Sequence, residues 1–232
     1  MRRILKFALW TLVLLLAAVC LTAAGFRIAA AVRETAEAAD LAPASGKFIA
    51  TRSGRVFIQE AGPRDGIPVV LFHGTAAWSE LWRATMTALA GARFRAIALD
   101  IPLTVTNPLM TRTLLAQLIE RKERAALYVD LLQRPMAVRD TTHDLGLWLL
   151  YFLGSDRDAL SAQRAAYAKI DKKVAILWGE KDSVTPLAQA EDLRALMPAA
   201  RLTLLPGLGH IPQIEDPDAF NRALVALVDE MK

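Results

Sequence analysis

From Phe7 to Phe26 the chain runs for 20 residues without a charged side chain. In an apolar medium a backbone must satisfy its own N–H and C=O groups, and a single segment does that only as a helix. At 1.5 Å per residue the run is about 30 Å long, the thickness of a bilayer's hydrocarbon core. Arg2, Arg3 and Lys6 precede it and Arg27 follows it. By the positive-inside rule, the N-terminus is expected in the cytoplasm and the body of the chain outside it. Residues 1–28 thus read as a single-pass transmembrane anchor. The competing reading is a secreted chain, cut at the small residues Thr22-Ala23-Ala24. The run is longer than the about 7–15 apolar residues of a signal core, which favours the anchor.

The hydrophobic share of 54% and the mean hydropathy of +0.29 owe much to this span. Charge also has to be localised before it means anything. Arg2, Arg3 and Lys6 supply three of the formal +4, so the rest of the chain carries only +1. Its basic residues alternate with acids, as in Glu120-Arg121-Lys122-Glu123-Arg124, the pattern of a solvated helix face. Nucleic acid is therefore excluded as a partner. A single cysteine, Cys20, excludes an internal disulfide framework and a multi-cysteine metal site, and no metal or cofactor is expected. Inside the span Cys20 reads as a small hydrophobe.

Beyond the anchor, residues 29–46 are rich in Ala and Glu and read as a helical or loose stalk. The domain proper is expected over 47–232. Lys47–Thr51 and Arg55–Glu60 flank Arg52-Ser53-Gly54 as a hairpin. Val69–Phe72 is a continuous apolar run, a strand buried on both faces. A helix from Trp78 to Leu89 and a strand from Phe94 to Leu99 follow, the alternation of a parallel α/β sheet. Thr111 to Lys169 is wholly helical in pattern. Strand and helix then alternate again through Val174–Trp178, Leu187–Met197, Arg201–Leu205 and Ala219–Met231.

Three short stretches carry chemistry. His73-Gly74 directly follows the Val69–Phe72 strand. Gly179-Glu180-Lys181-Asp182 follows the Val174–Trp178 strand and leads to Pro186. Gly207-Leu208-Gly209-His210 follows the Arg201–Leu205 strand. Each admits a plainer reading: a tight turn at His73, at Asp182 a cap for the helix that starts near Pro186, and at His210 a structural histidine. Taken together, the chain resembles the α/β-hydrolase family of serine hydrolases with a helical cap. The resemblance implies Asp182 as the triad acid and His210 as the general base. It also implies an oxyanion hole at His73, Gly74 and Thr75, with Thr75 donating its backbone N–H. His143, in the polar Thr141-Thr142-His143-Asp144, reads as a surface or pocket-lining residue.

The same resemblance exposes a departure. Six serines occur, at 45, 53, 79, 155, 161 and 183, and none lies in a G-x-S-x-G turn. In the family, the strand ending at Asp100 is followed by a helix, the nucleophile strand and its elbow, a second helix and a second strand, and only then the cap. Here Asp100 runs directly into Ile101-Pro102-Leu103, which already resembles entry to a cap at about 103–170. Family-like elements cover Lys47–Asp100 and Thr104–Met231. The implied architecture is thus an α/β-hydrolase sheet lacking its central, nucleophile-bearing strands. The two flanking strands would have to pair directly or be closed over by cap helices.

The implied function is esterase-like hydrolysis of a small apolar molecule or ester, inactive in this chain for want of a nucleophile. The alternative is a non-catalytic anchored binding protein whose pocket is lined by Leu147, Trp148, Leu150, Tyr151 and Phe152. A third reading takes Ser79 or Ser183 as a substitute nucleophile.

Overall fold

The computed structural model describes residues 2–52, 54–74, 77–100, 111–144, 146–147, 154 and 163–232. Helix α1 (Arg2–Arg33) contains the apolar run and continues past it without a break, well into the expected stalk. A short α2 (Ala38–Leu41) follows, with the Glu37 side chain and the Asp40 side chain capping its first turn reciprocally.

Strands β1 (Gly46–Thr51) and β2 (Gly54–Ala61) form the expected antiparallel hairpin, with Thr51 opposite Gly54. Strand β3 (Pro68–Phe72) pairs parallel with β4 (Arg95–Leu99), and β4 pairs antiparallel with β2, giving the order β1-β2-β4-β3. The stretch expected to be helical from Trp78 divides into a 3-10 turn, Ser79–Trp82, and α3 (Arg83–Gly91). Its physical cause is the Ser79 N–H, which donates to the Asp100 carboxylate at 2.6 Å and ties the turn to the end of β4. Leu71, Met86, Leu89, Phe94, Ala96 and Ala98 fill the space between α3 and this sheet.

The described part of the expected cap is helical but interrupted. α4 (Thr111–Leu118) and α5 (Ala125–Gln133) are separated because the Glu120 and Arg121 N–H groups turn away to the Glu215 carboxylate. Leu115, Ile119, Ala125 and Leu132 pack against Ala77, Leu81 and Ile214. After a short α6 (Arg164–Tyr167), strand β5 (Ala175–Gly179) pairs parallel with β6 (Arg201–Leu205) across α7 (Leu187–Leu196). The chain ends in α8 (Pro212–Glu215) and α9 (Pro217–Glu230).

Among the described residues the sheet therefore comes in two pieces, β1-β2-β4-β3 and β5-β6. β3 and β5 do not pair with each other, so of the two expected closures direct pairing is not the one taken. Among the described residues β3 is an edge strand, and its Val70 and Phe72 are 46% and 62% exposed. What joins the pieces is α9. Phe220, Ala223 and Leu224 pack with Leu205, Leu208, Leu177 and Trp82, while Val225 and Val228 reach the cluster under the larger sheet. The Thr85 hydroxyl donates to the Asn221 side-chain oxygen at 2.7 Å in the same seam.

Truncating Phe220 should then cost about 3–5 kcal/mol, the usual range for a buried Phe→Ala. Urea unfolding of detergent-solubilised Phe220→Ala should show that loss. The exposed Leu127→Ala should stay within about 0.5 kcal/mol of wild type.

Candidate functional site

Asp182 and His210 come from different turns of the smaller sheet. β5 ends at Gly179 and β6 at Leu205, and the parallel pairing sets Gly179 opposite Leu205. Both turns therefore leave the same, carboxyl end of the sheet, where open α/β sheets present their functional groups. Their close approach needs glycine. A Cβ on Gly179 would run into the Gly209 carbonyl oxygen and lie 2.6 Å from that of Leu208. Gly207 takes a positive φ of 69°, which lets the second turn fold back.

The result is a hydrogen bond of 3.0 Å between His210 Nδ1 and Asp182 Oδ2. The carboxylate is 5% exposed and the imidazole 32%. Asp182 Oδ1 accepts the backbone N–H groups of Val184 and Thr185 at 2.9 and 2.8 Å, and Oδ2 accepts the Thr185 hydroxyl at 2.7 Å. Burial alone would raise the Asp182 carboxyl. The hydrogen bonds from the Thr185 hydroxyl, His210 and the two backbone groups outweigh it and hold the pKa below the usual carboxylate value. An ionised Asp182 accepts at Nδ1, so His210 carries its proton there and leaves Nε2 as a base when neutral. Nε2 has no hydrogen-bond partner among the described residues.

The rest of the turn is held from the cap side. His210 N–H donates to the Leu118 carbonyl at 3.0 Å. Glu215, only 1% exposed, accepts the Gly209 N–H at 2.8 Å through Oε1 and the Glu120 N–H at 2.9 Å through Oε2. Thr185 and Glu215 escape a motif-based reading. The available signals are a threonine three residues after an acid, a side-chain-to-backbone turn pattern, and an acid embedded in Ile211-Pro212-Gln213-Ile214.

The His73–Gly74 turn ends β3, in the larger sheet. His73 is buried, with Nδ1 at 2.9 Å from the Gly74 carbonyl. Thr75 lies outside the described residues, as do Trp148, Leu150, Tyr151 and Phe152 of the expected pocket. Leu147 is exposed, and so is His143, beside Asp144. Ser79 is fully buried, its hydroxyl accepting from Gln59 Nε2 at 2.7 Å. Asp100 follows β4. Burial there raises its carboxyl against the lowering hydrogen bonds from Ser79. Ser183 is exposed next to Asp182. Among the described residues no group of three or more His, Cys, Asp or Glu could hold a metal ion.

The model of the alpha/beta hydrolase family matches residues 103–223, just over half of the chain. The protein named "Putative protein-lysine deacylase ABHD14B" of Rattus norvegicus is 26% identical over 202 residues, 79% of this chain and 95% of that protein. A meta-cleavage product hydrolase from Pseudomonas fluorescens IP01 superposes with a TM-score of 0.65 at 17% identity, over 81% of this chain and 98% of its own. A membrane phospholipase A superposes with a TM-score of 0.62 at 16% identity, over 97% of this chain and 99% of its own, so that likeness takes in most of α1.

The sign of the pH dependence follows from the lowered pKa of Asp182. The stability it contributes is fully present above its unfolded value, about 3.9, and is lost as pH falls through the still lower folded value. Asp182→Asn should destabilise the domain by about 1.5–3 kcal/mol at pH 7. In urea melts run across pH, the gap between wild type and variant should close only below about pH 4.

Proposed function

The chain belongs to the alpha/beta hydrolase family, and from that premise we propose that it is a membrane-anchored member carrying half of an ester-hydrolysing site. The half it keeps is the acid and the base, Asp182 and His210. The half it lacks is the nucleophile, so in this form it turns over no ester. The observation that carries this reading is the 3.0 Å Asp182–His210 hydrogen bond, with the imidazole partly open to solvent, in a chain without a serine elbow.

In such a site the base takes a proton from a serine as the serine attacks the carbonyl carbon, and the ionised acid stabilises the imidazolium that forms. Without the serine no acyl-enzyme can form. In a characterised serine protease, deleting the nucleophile alone costs about 2 × 10⁶ in kcat, as much as removing the whole triad. Neither substitute serine fits the role. Ser79 is buried and committed to Gln59 and Asp100, and Ser183 lies in the acid's own turn, not at a strand-to-helix elbow.

The division of the sheet supports the same reading. β3 and β5, left as edges among the described residues, are the strands that a nucleophile-bearing block would separate. The ligand class is a small apolar molecule or ester, reached from the extracytoplasmic side of a membrane. The anchor is α1, apolar and wholly exposed over its span, and the likeness to a membrane phospholipase extends along it. By family resemblance His73, Gly74 and Thr75 would supply the oxyanion turn, and the described His73–Gly74 turn ends β3.

A fluorophosphonate probe should leave the purified full chain unlabelled, and short aryl esters should be hydrolysed no faster than by His210→Ala. Stoichiometric labelling of Ser79 or Ser183 would overturn the reading. Inserting a helix–strand–elbow–helix–strand block between Asp100 and Ile101 should restore esterase activity that depends jointly on the new serine, Asp182 and His210. Activity that survives His210→Ala in the restored chain would remove His210 as the base.

A further inference from the structure

The end of α1 does not hang free of the body. Arg33 Nε donates to the Met136 carbonyl at 3.1 Å, and its Nη2 donates to the Thr142 hydroxyl at 2.8 Å and to Glu34 Oε1 at 2.8 Å. Glu34 also accepts the Thr142 backbone N–H at 3.0 Å and the Thr142 hydroxyl. The backbone continues the contact. Ala36 bridges to Val138 in parallel, with Ala36 N–H on the Ala137 carbonyl at 3.0 Å and Arg139 N–H on the Ala36 carbonyl at 2.9 Å. Arg139 then pairs with Glu37 at 2.9 Å. The Glu34 side chain is 8% exposed, so this latch is partly desolvated and its charge-assisted hydrogen bonds are stronger than those of a surface pair.

The latch has a fixed height. α1 is one unbroken helix from Arg2 to Arg33, and its uncharged run ends at Phe26. Seven further residues at 1.5 Å each place Arg33 about 10 Å beyond the hydrocarbon boundary. Headgroups occupy about 5–7 Å per leaflet, so Arg33 stands about 3–5 Å above their outer margin. Whatever Arg33 and Glu34 hold is held there too, and they hold the segment from Met136 to Thr142.

That segment is connected to the site. It follows α5, whose Leu132 packs with Ala77 and Leu81, and the Trp78 indole N–H donates to the Leu131 carbonyl at 2.8 Å. Trp78 and Ala77 lie three to five residues past the His73–Gly74 turn.

We propose that Arg33–Glu37 and residues 136–142 form a latch that presses this cap segment against the bilayer headgroups, so that the 136–144 turn is the membrane-facing surface of the domain. The partner is a lipid bilayer surface. The proposal rests on the reading of α1 as a retained anchor. It adds that the domain has one fixed pose on the membrane, with a continuous strut from the lipid boundary to the loop after His73–Gly74.

The test uses the full chain with Cys20→Ser, in vesicles of phosphatidylcholine and phosphatidylglycerol. A single fluorophore is attached at His143→Cys, on the exposed turn, or at Lys172→Cys as a second site away from the latch. Headgroup spin-labelled lipid is the quencher. Quenching at position 143 at least twofold stronger than at 172 is expected. It should fall to the level of 172 in a Glu34→Gln, Thr142→Val double variant that remains bound after a carbonate wash and keeps its urea midpoint in detergent.

Equal quenching at both sites in a carbonate-resistant, unaltered latch would overturn the fixed pose while leaving the anchor intact. Strong quenching that persists in the double variant would overturn the latch as its cause. Release of the unaltered chain by carbonate would instead remove the anchor reading on which the proposal rests.

Discussion

The apolar side of α9 is the seam on which the two sheets depend. Phe220, Ala223 and Leu224 lie on Leu205, Leu208 and Leu177 of the smaller sheet, and Val225 and Val228 lie under the larger one. Trp82 stands between, its ring 6.2 Å from that of Phe220. Asp216 fixes where this helix begins, accepting the Ala219 N–H at 2.9 Å and pairing with Arg121 at 2.9 Å. A parallel sheet ordinarily gets its continuity from ladder hydrogen bonds between neighbouring strands. Among the described residues that continuity stops at β3 and resumes at β5, and side-chain packing through α9 and the cluster around Ile214 and Leu81 spans the gap.

The Asp182–His210 contact does not depend on the seam. Asp182 and His210 both belong to the β5–β6 piece, and everything that orients them is local to that piece or to the cap segment stacked on it. Gly179 lets the two turns touch, Thr185 fixes the carboxylate, and Glu215 with Leu118 fixes the histidine loop. The His73–Gly74 turn belongs to the other piece, so its position relative to His210 depends on how the two pieces pack, whereas the Asp182–His210 contact does not.

Burial of polar groups follows the same boundary. Asp182 is buried but met by four donors, and its charge is stabilised. Asp100, at the end of β4, is met chiefly by Ser79, and burial there opposes its charge.

Several features were legible in the amino-acid order because they are local. A 20-residue uncharged run can only be a helix, an apolar run of four or five beside glycine can be a buried strand, and glycines before His210 permit the turn that presents it. The strands at 69–72, 95–99, 175–179 and 201–205, and the 182–210 pairing implied by family resemblance, follow from such signals. Others were decided only in three dimensions. That α9 and Trp82 pack against both sheets joins residues more than a hundred positions apart. Glu215 gained its role because folding brought the Gly209, Glu120 and Arg121 N–H groups to its carboxylate, and Thr185 gained its role because its hydroxyl and N–H donate to the Asp182 carboxylate. The stalk, with no pattern of its own beyond Ala and Glu, became a latch because residues 136–142 offered carbonyls and a hydroxyl at its height. Sequence order sets which groups need partners; only the tertiary structure sets which partners arrive.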